Sequence, residues 1–241
     1  MEKIPIRLIS VNGAIRELNL RRLYRWKTKL FRISTLTDYD SIIFHEQYDC
    51  DQFQAYSASL LNRCLSASEF DGLTVFITYE PLEDNQFSVL LDKNRVVFSL
   101  YEVQDILRDA EIPLENHIIS LLYTYSLMLI ASKYKGEQLL IETEATFAHD
   151  SFRKCLFDYR NDKLSVKYTS ITPILCEHCV ENLKSVGVSD TVLASVKNEL
   201  KRLKKDFFYI IVDFLKNYPI LSFLLTTLAS FLLNLLCNII V

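Results

Sequence analysis

Leu73–Tyr79 reads LTVFITY, a run in which Val, Ile, Thr, Phe and Tyr crowd together. β-Branched and aromatic side chains fit a pleated surface, so this run is the strongest strand signal in the chain. Downstream, Phe87–Leu91 and Val96–Leu100 flank Asp92-Lys93-Asn94, a pattern that predicts a hairpin. Leu114–Lys133 (LENHIISLLYTYSLMLIASK) then reads as a long, mostly apolar helix. Upstream, Ile4–Val11 (IPIRLISV) alternates as a strand, and Leu18–Phe31 reads as a helix with Leu20, Leu23, Tyr24 and Phe31 inward. Ser41–Phe44 is a short apolar strand, and Asp51–Leu65 a helix with Phe53, Tyr56, Leu60 and Leu61 on one face. Strands interleaved with helices predict an α/β (or α+β) domain over residues 1–187, long enough to enclose a core.

The chain has 241 residues, 50% of them hydrophobic and 24% charged, with a mean hydropathy of +0.13. Its charged residues all lie between Glu2 and Lys216. This composition excludes a disordered chain and a polytopic transporter. The net charge of −3 gives no general case for nucleic acid as a partner.

The uncharged stretch Pro219 to Val241 (PILSFLLTTLASFLLNLLCNIIV) predicts a single transmembrane helix. At 1.5 Å per residue it would be about 35 Å long, against a hydrocarbon core of about 30 Å. Ser222, Thr226, Thr227, Ser230, Asn234 and Asn238 can hydrogen-bond along that helix or to a neighbour. Lys197, Lys201, Arg202, Lys204 and Lys205 precede the span and nothing charged follows it. The positive-inside rule then predicts a tail anchor in the inner membrane with the N-terminal domain cytoplasmic. Between domain and span, residues 188–218 carry Leu193, Val196, Leu200, Leu203, Phe207, Ile210 and Phe214 at alternating spacings of three and four. This a/d seam predicts an amphipathic stalk helix. The seam pairs either with its own domain or, with the span, with a second copy of the chain in a homo-oligomer.

Gly13, Gly72, Gly136 and Gly187 are the only glycines, so GxGxxG and GxxxxGK[ST] phosphate loops are absent, as is a GxSxG elbow. Of six cysteines, Cys50 and Cys64 are isolated and Cys237 lies in the span. Cys155, Cys176 and Cys179 form C-x20-C-x2-C, with His149 six residues before the first. A reducing cytoplasm argues against disulfides. Tetrahedral Zn²⁺ takes four N/S ligands, and His149, Cys155, Cys176 and Cys179 supply four for one structural ion. His178, inside the CEHC turn, competes for the fourth position, and redox chemistry at the CxxC is the other alternative.

The run HDSFRKCLFDY…LCEHC resembles the end of archaemetzincin-like zinc peptidase domains. There, a Cys of a CLFD-type segment and a later CxxC hold a structural zinc beside the catalytic one. The preceding order is similar too: LTVFITYEPL, a hairpin ending NRVVFSLYEV, then a long helix. The resemblance covers Ile4 to Val186, with the CLFD and CxxC segments its specific parts. It implies a metzincin-like mixed sheet and, because degenerate relatives occur in bacterial conflict loci, a role in anti-phage defence.

The departure from the family concerns catalysis. An active site of this type needs HExxH, which sets two His on one helix face against a metal and lets Glu activate its water. His45, His117, His149 and His178 are the histidines, and no two are four apart. His45-Glu46-Gln47-Tyr48-Asp49 gives only HExxD. The expectation is a non-catalytic membrane sensor or effector that binds an unidentified signal or protein partner and self-associates in the bilayer. A membrane-tethered metallopeptidase using His45, Glu46 or His117, and a passive membrane adaptor, are the alternatives. Arg16, Arg21, Arg22, Arg25, Lys27, Lys29 and Arg32, interleaved with Tyr24, Trp26 and Phe31, form a solvated helix face, a lipid-headgroup contact or a nucleic-acid contact. Glu137, Glu142, Glu144 and Asp150 read as a solvated acidic loop, with an acidic metal or partner surface as the alternative.

Overall fold

The computed structural model describes residues 2–39, 55–65, 67–92, 94–135, 147–150, 153–158 and 163–240. The Ser41–Phe44 strand, the HExxD string at 45–49, and Glu137, Glu142 and Glu144 lie outside those residues. The chain divides into two compact units, Met1–Lys204 and Lys205–Val241.

The first unit is built on a mixed sheet. β1 (Ile4–Val11), β2 (Phe31–Tyr39), β3 (Leu73–Thr78) and β5 (Arg95–Ser99) run parallel, and β4 (Ser88–Leu90) pairs antiparallel with β5. The strand order is β2-β1-β3-β5-β4. Every residue of β3 is buried, because the sheet is covered on both faces. Ile6, Leu8, Val75, Ile77, Val96 and Phe98 face the larger core. Their neighbours Ile9, Val11, Phe76 and Val97 face a smaller one closed by Tyr56, Leu60, Leu61 and Leu65. The period-2 alternation of strands thus sorts one residue set into two cores.

The helices of this unit are α1 (Leu20–Arg25), α2 (Ala58–Cys64), α3 (Val103–Asp109), α4 (Leu114–Lys135), α5 (Val166–Ser170), α6 (Glu177–Ser185) and α7 (Asp190–Leu200). α4 is the central one, and its Ile118, Leu122, Tyr125 and Leu129 are all buried in the larger core. Asn116 ties its start down. Its amide donates to the carbonyls of Ser170 and Lys204, each at 3.0 Å, and its oxygen accepts from Arg22 at 3.0 Å.

Three expectations change. The helix expected over Leu18–Phe31 stops at Arg25, and Phe31 instead opens β2 opposite Ile4. The helical spacing of Leu20, Leu23 and Tyr24 extends by chance into a β-branched run, where strand pairing wins. Tyr24 faces solvent and not the core. Of the helix expected over Asp51–Leu65, residues 51–54 lie outside the described residues, and α2 starts at Ala58, where the Ser57 hydroxyl accepts from the Leu60 N–H at 3.1 Å. The stretch 188–218 is not one stalk. α7 ends at Leu200, and a new helix starts at Phe207. Leu193, Val196, Leu200 and Leu203 are 2%, 1%, 0% and 0% exposed inside the larger core. Those four seam positions therefore pair with their own domain and are unavailable to a second copy. The Thr172 N–H donates to the Leu203 carbonyl at 2.6 Å, which fixes the chain where α7 has ended.

The second unit holds α8 (Phe207–Asn217) and α9 (Pro219–Ile240). Pro219 occupies the first helical position, where its missing N–H costs nothing. The hydroxyls of Ser222, Thr226, Thr227 and Ser230 bond back to carbonyls four residues earlier at 2.8–3.0 Å. Among the described residues no single helix is long and apolar enough to cross a membrane. The pair Phe207–Asn217 and Pro219–Leu235, bent by 113°, passes that test together.

Candidate metal centre

Two short backbone contacts and one helix start bring four side chains together. His149 and Asp158 form an isolated parallel bridge, with the His149 N–H donating to the Phe157 carbonyl at 3.2 Å. Cys155 pairs in the same way with Ile174, fixed by Leu156 N–H to Ile174 C=O at 3.0 Å and Ile174 N–H to Lys154 C=O at 2.9 Å. Cys176 caps α6, its sulfur accepting from the Cys179 N–H at 3.4 Å. That cap places both CxxC sulfurs on one side of the first turn. From behind, the rings of Phe147 and Phe157 stack at 4.9 Å, and the Thr124 hydroxyl of α4 reaches the Leu156 carbonyl at 3.3 Å.

The outcome is a compact donor set. One ligand atom from each of His149, Cys155, Cys176 and Cys179 lies within 4.8 Å of the other three. The Cys155 and Cys179 sulfurs are 3.7 Å apart, and the Cys176 sulfur is 3.4 Å from His149 Nε2. Tetrahedral zinc with S ligands at about 2.3 Å and N at about 2.0–2.1 Å puts S···S near 3.8 Å and S···N near 3.6 Å. The observed separations fit a single ion of that kind. All three cysteines are buried and His149 is partly so.

The electrostatics point the same way. A hydrogen bond from the Cys179 thiol holds Cys155 down to about 5 against the opposing pull of burial, with backbone groups and His149 assisting. The bond to Cys155, then burial, pushes Cys179 up, and burial pushes Cys176 up. Three close sulfurs oppose one another's ionisation, and a divalent cation would relieve that opposition.

His149 joins the three cysteines, whereas His178 is exposed on α6, its ring 6.1 Å from that of His149 and its Nε2 3.2 Å from the Asn182 amide. His117 is buried in α4, with its ring edge-on to Phe87 at 5.3 Å. His45 and Glu46 lie outside the described residues. Among the described residues, His149, Cys155, Cys176 and Cys179 are the one such group of His, Cys, Asp and Glu. Four protein ligands leave no open position, so the cluster suits a closed structural ion. Asp150 sits beside it but pairs with Arg153 at 3.2 Å on the surface.

Sequence reasoning missed a second polar centre. The Glu199 carboxylate accepts from the Tyr123 hydroxyl at 2.6 Å, the Ser195 hydroxyl at 3.0 Å and the Lys29 N–H at 3.0 Å. Tyr123 in turn accepts from the Trp26 indole at 3.0 Å. Burial would raise Glu199, but these donors outweigh it and hold the carboxyl below its ordinary range. No local signal marks this network, since Lys29 and Tyr123 lie 170 and 76 residues from Glu199 in the chain.

No protein-family model matches the sequence, and no curated protein does. Among solved structures, archaemetzincin from Methanopyrus kandleri is similar, with 17% identity and a TM-score of 0.44, covering 77% of this chain and 96% of that one. A likeness of that size assigns no residue a role.

Proposed function

We propose that the protein is a membrane-tethered binding protein without hydrolytic chemistry, its Met1–Lys204 unit stabilised by one Zn²⁺ on His149, Cys155, Cys176 and Cys179. The observation that carries the reading is the apolar surface of the second unit. Phe207, Phe208, Ile220, Phe223, Leu224, Phe231 and Leu233 are each more than half exposed. Apolar surface gains about 25 cal/mol per Å² on leaving water, so this surface requires lipid or another apolar partner. Neither helix is long and apolar enough to cross by itself, but α8 and α9 taken together are, by length and composition. In this reading α9 enters the bilayer and α8 lies at its surface, with Lys205, paired to Asp213 at 3.0 Å, on the cytoplasmic side. Self-association, if lipid leaves part of that surface uncovered, belongs to α8 and α9 and not to the Leu193–Leu203 seam.

Flotation of the full chain with vesicles tests the tether. It should float, whereas a chain ending at Lys204 should not, and a full chain that stays in the soluble fraction overturns the reading. Metal analysis should find one zinc per chain, absent after Cys176→Ser. Replacing α9 by an unrelated span separates an assembling effector, which should lose function, from a passive adaptor, which should keep it. The anti-phage setting rests on the CLFD and CEHC resemblance, and survival of phage-challenged cells with and without the gene tests it.

A further inference from the structure

The basic run after α1 forms neither a helix face nor a flat patch. Beyond Trp26 the chain turns into β2, and residues of this turn, with Lys3 and Arg202, enclose a cleft of about 540 Å³. Lys3, Lys27, Lys29, Arg32 and Arg202 line it, with Glu199 as the single carboxylate. A second cavity of about 580 Å³ adjoins it, sharing Lys29, Glu199 and Arg202. The carboxylate is already committed to Tyr123, Ser195 and the Lys29 N–H, so it neutralises little of the wall. Lys3, Lys27, Lys29 and Arg32 have no side-chain ion pair among the described residues.

The aromatic part is equally built. Trp26 is the chain's one tryptophan and sits half-buried in the lining. Its indole N–H is fixed on Tyr123, and the Arg202 guanidinium stacks over its ring, 4.6 Å from the centroid. Arg202 also donates to the Lys27 carbonyl. The ring and one cation are therefore tied to their neighbours, while Lys3, Lys27, Lys29 and Arg32 are exposed around the opening. Like charges gathered in a concave site raise the local potential and draw in anions. The volume is that of a small-ligand site, which commonly runs about 300–1,000 Å³.

We propose that this cleft binds a small phosphate ester carrying a planar ring, the chemistry of a nucleotide, with Lys27, Lys29 and Arg32 on the phosphates and the Trp26–Arg202 pair beside the ring. A planar guanidinium on an aromatic face suits a ring, and Arg and Lys suit phosphate oxygens. The site is independent of the tether and of the zinc cluster.

Trp26 reports directly on the test. Its emission, excited at wavelengths the ligand does not absorb, is followed in the full detergent-solubilised chain during titration with ATP, AMP, inorganic phosphate, and vesicles of phosphatidylcholine with or without phosphatidylglycerol. The expected result is a saturable change with the nucleotides. Inorganic phosphate should bind on the order of tenfold or more weakly, a difference of about 1.4 kcal/mol per factor of ten. The double variant Lys27→Gln/Arg32→Gln, both exposed positions, should weaken nucleotide binding by a similar factor. Replacing Arg202 disturbs the Lys27 carbonyl as well, so calorimetry on Trp26→Phe serves as the second variant and should show reduced nucleotide affinity. No saturable nucleotide response, equal affinity for inorganic phosphate, an undiminished response in the double variant, or a response to phosphatidylglycerol vesicles alone overturns the proposal.

Discussion

Gly72 opens β3 in a space that admits no side chain. A Cβ there would meet the Pro5 carbonyl oxygen, and would lie 2.8 Å from both Pro5 Cγ and Phe70 Cε1. The obstacle is backbone of the neighbouring strand, which cannot swing away, so Gly72→Ala should cost about 1–3 kcal/mol. Denaturant unfolding should show that loss, and an unchanged midpoint would mean the strand ends separate freely. At Glu199 the argument is one of pH. Its carboxyl is held below the ordinary range in the folded state, so it stabilises above that range, and the stabilisation is lost as pH falls through the folded value. Wild type should therefore exceed Glu199→Gln in stability at neutral pH, with the gap narrowing below about pH 4. Thermal unfolding across pH measures it, and a gap independent of pH would remove the carboxylate's role. At the metal cluster, Cys176→Ser loses a sulfur ligand and weakens the α6 cap together. Zinc content should fall and the melting temperature with it, whereas His178→Ala should leave both unchanged.

Among the elements, α7 shows how one amphipathic pattern admits two partners. Leu200 is fully buried in the larger core, so Leu200→Ala should destabilise the first unit by about 2–5 kcal/mol. It should leave the oligomeric state in detergent unaltered, since the side chain faces inward. Sedimentation of the variant checks this, and a shift from assembly to monomer would restore the stalk reading. An a/d seam satisfies an intramolecular surface at lower entropic cost than an intermolecular one, because no translational freedom is lost. α9 shows the opposite case. The hydroxyls of Ser222, Thr226, Thr227 and Ser230 are spent on its own backbone, so its exposed apolar side chains dominate the surface it presents.

At the scale of the whole molecule, the division at Lys204 predicts that a chain of residues 1–204 keeps its sheet, its cores and its metal cluster. Such a chain should be soluble, unfold cooperatively and bind one zinc. Failure to fold would mean that the second unit contributes to the first.

What the sequence determined by itself follows from local, periodic signals. LTVFITY, the hairpin around Asp92 and Asn94, and the apolar run of α4 were legible because strand and helix periods are written in neighbouring residues. The donor set of the metal cluster was legible because CxxC is a local motif, and the uncharged tail because its composition is uniform. Only the tertiary structure groups His149, and not His178, with the three cysteines, since that depends on a bridge to Asp158 that spacing does not encode. It alone turned Phe31 into a strand residue, buried the Leu193–Leu203 seam in its own core, and closed the basic run around Trp26 into a cleft. In each case the deciding contact joins residues far apart in the chain, where a local pattern fixes which face is apolar or charged but not what that face meets.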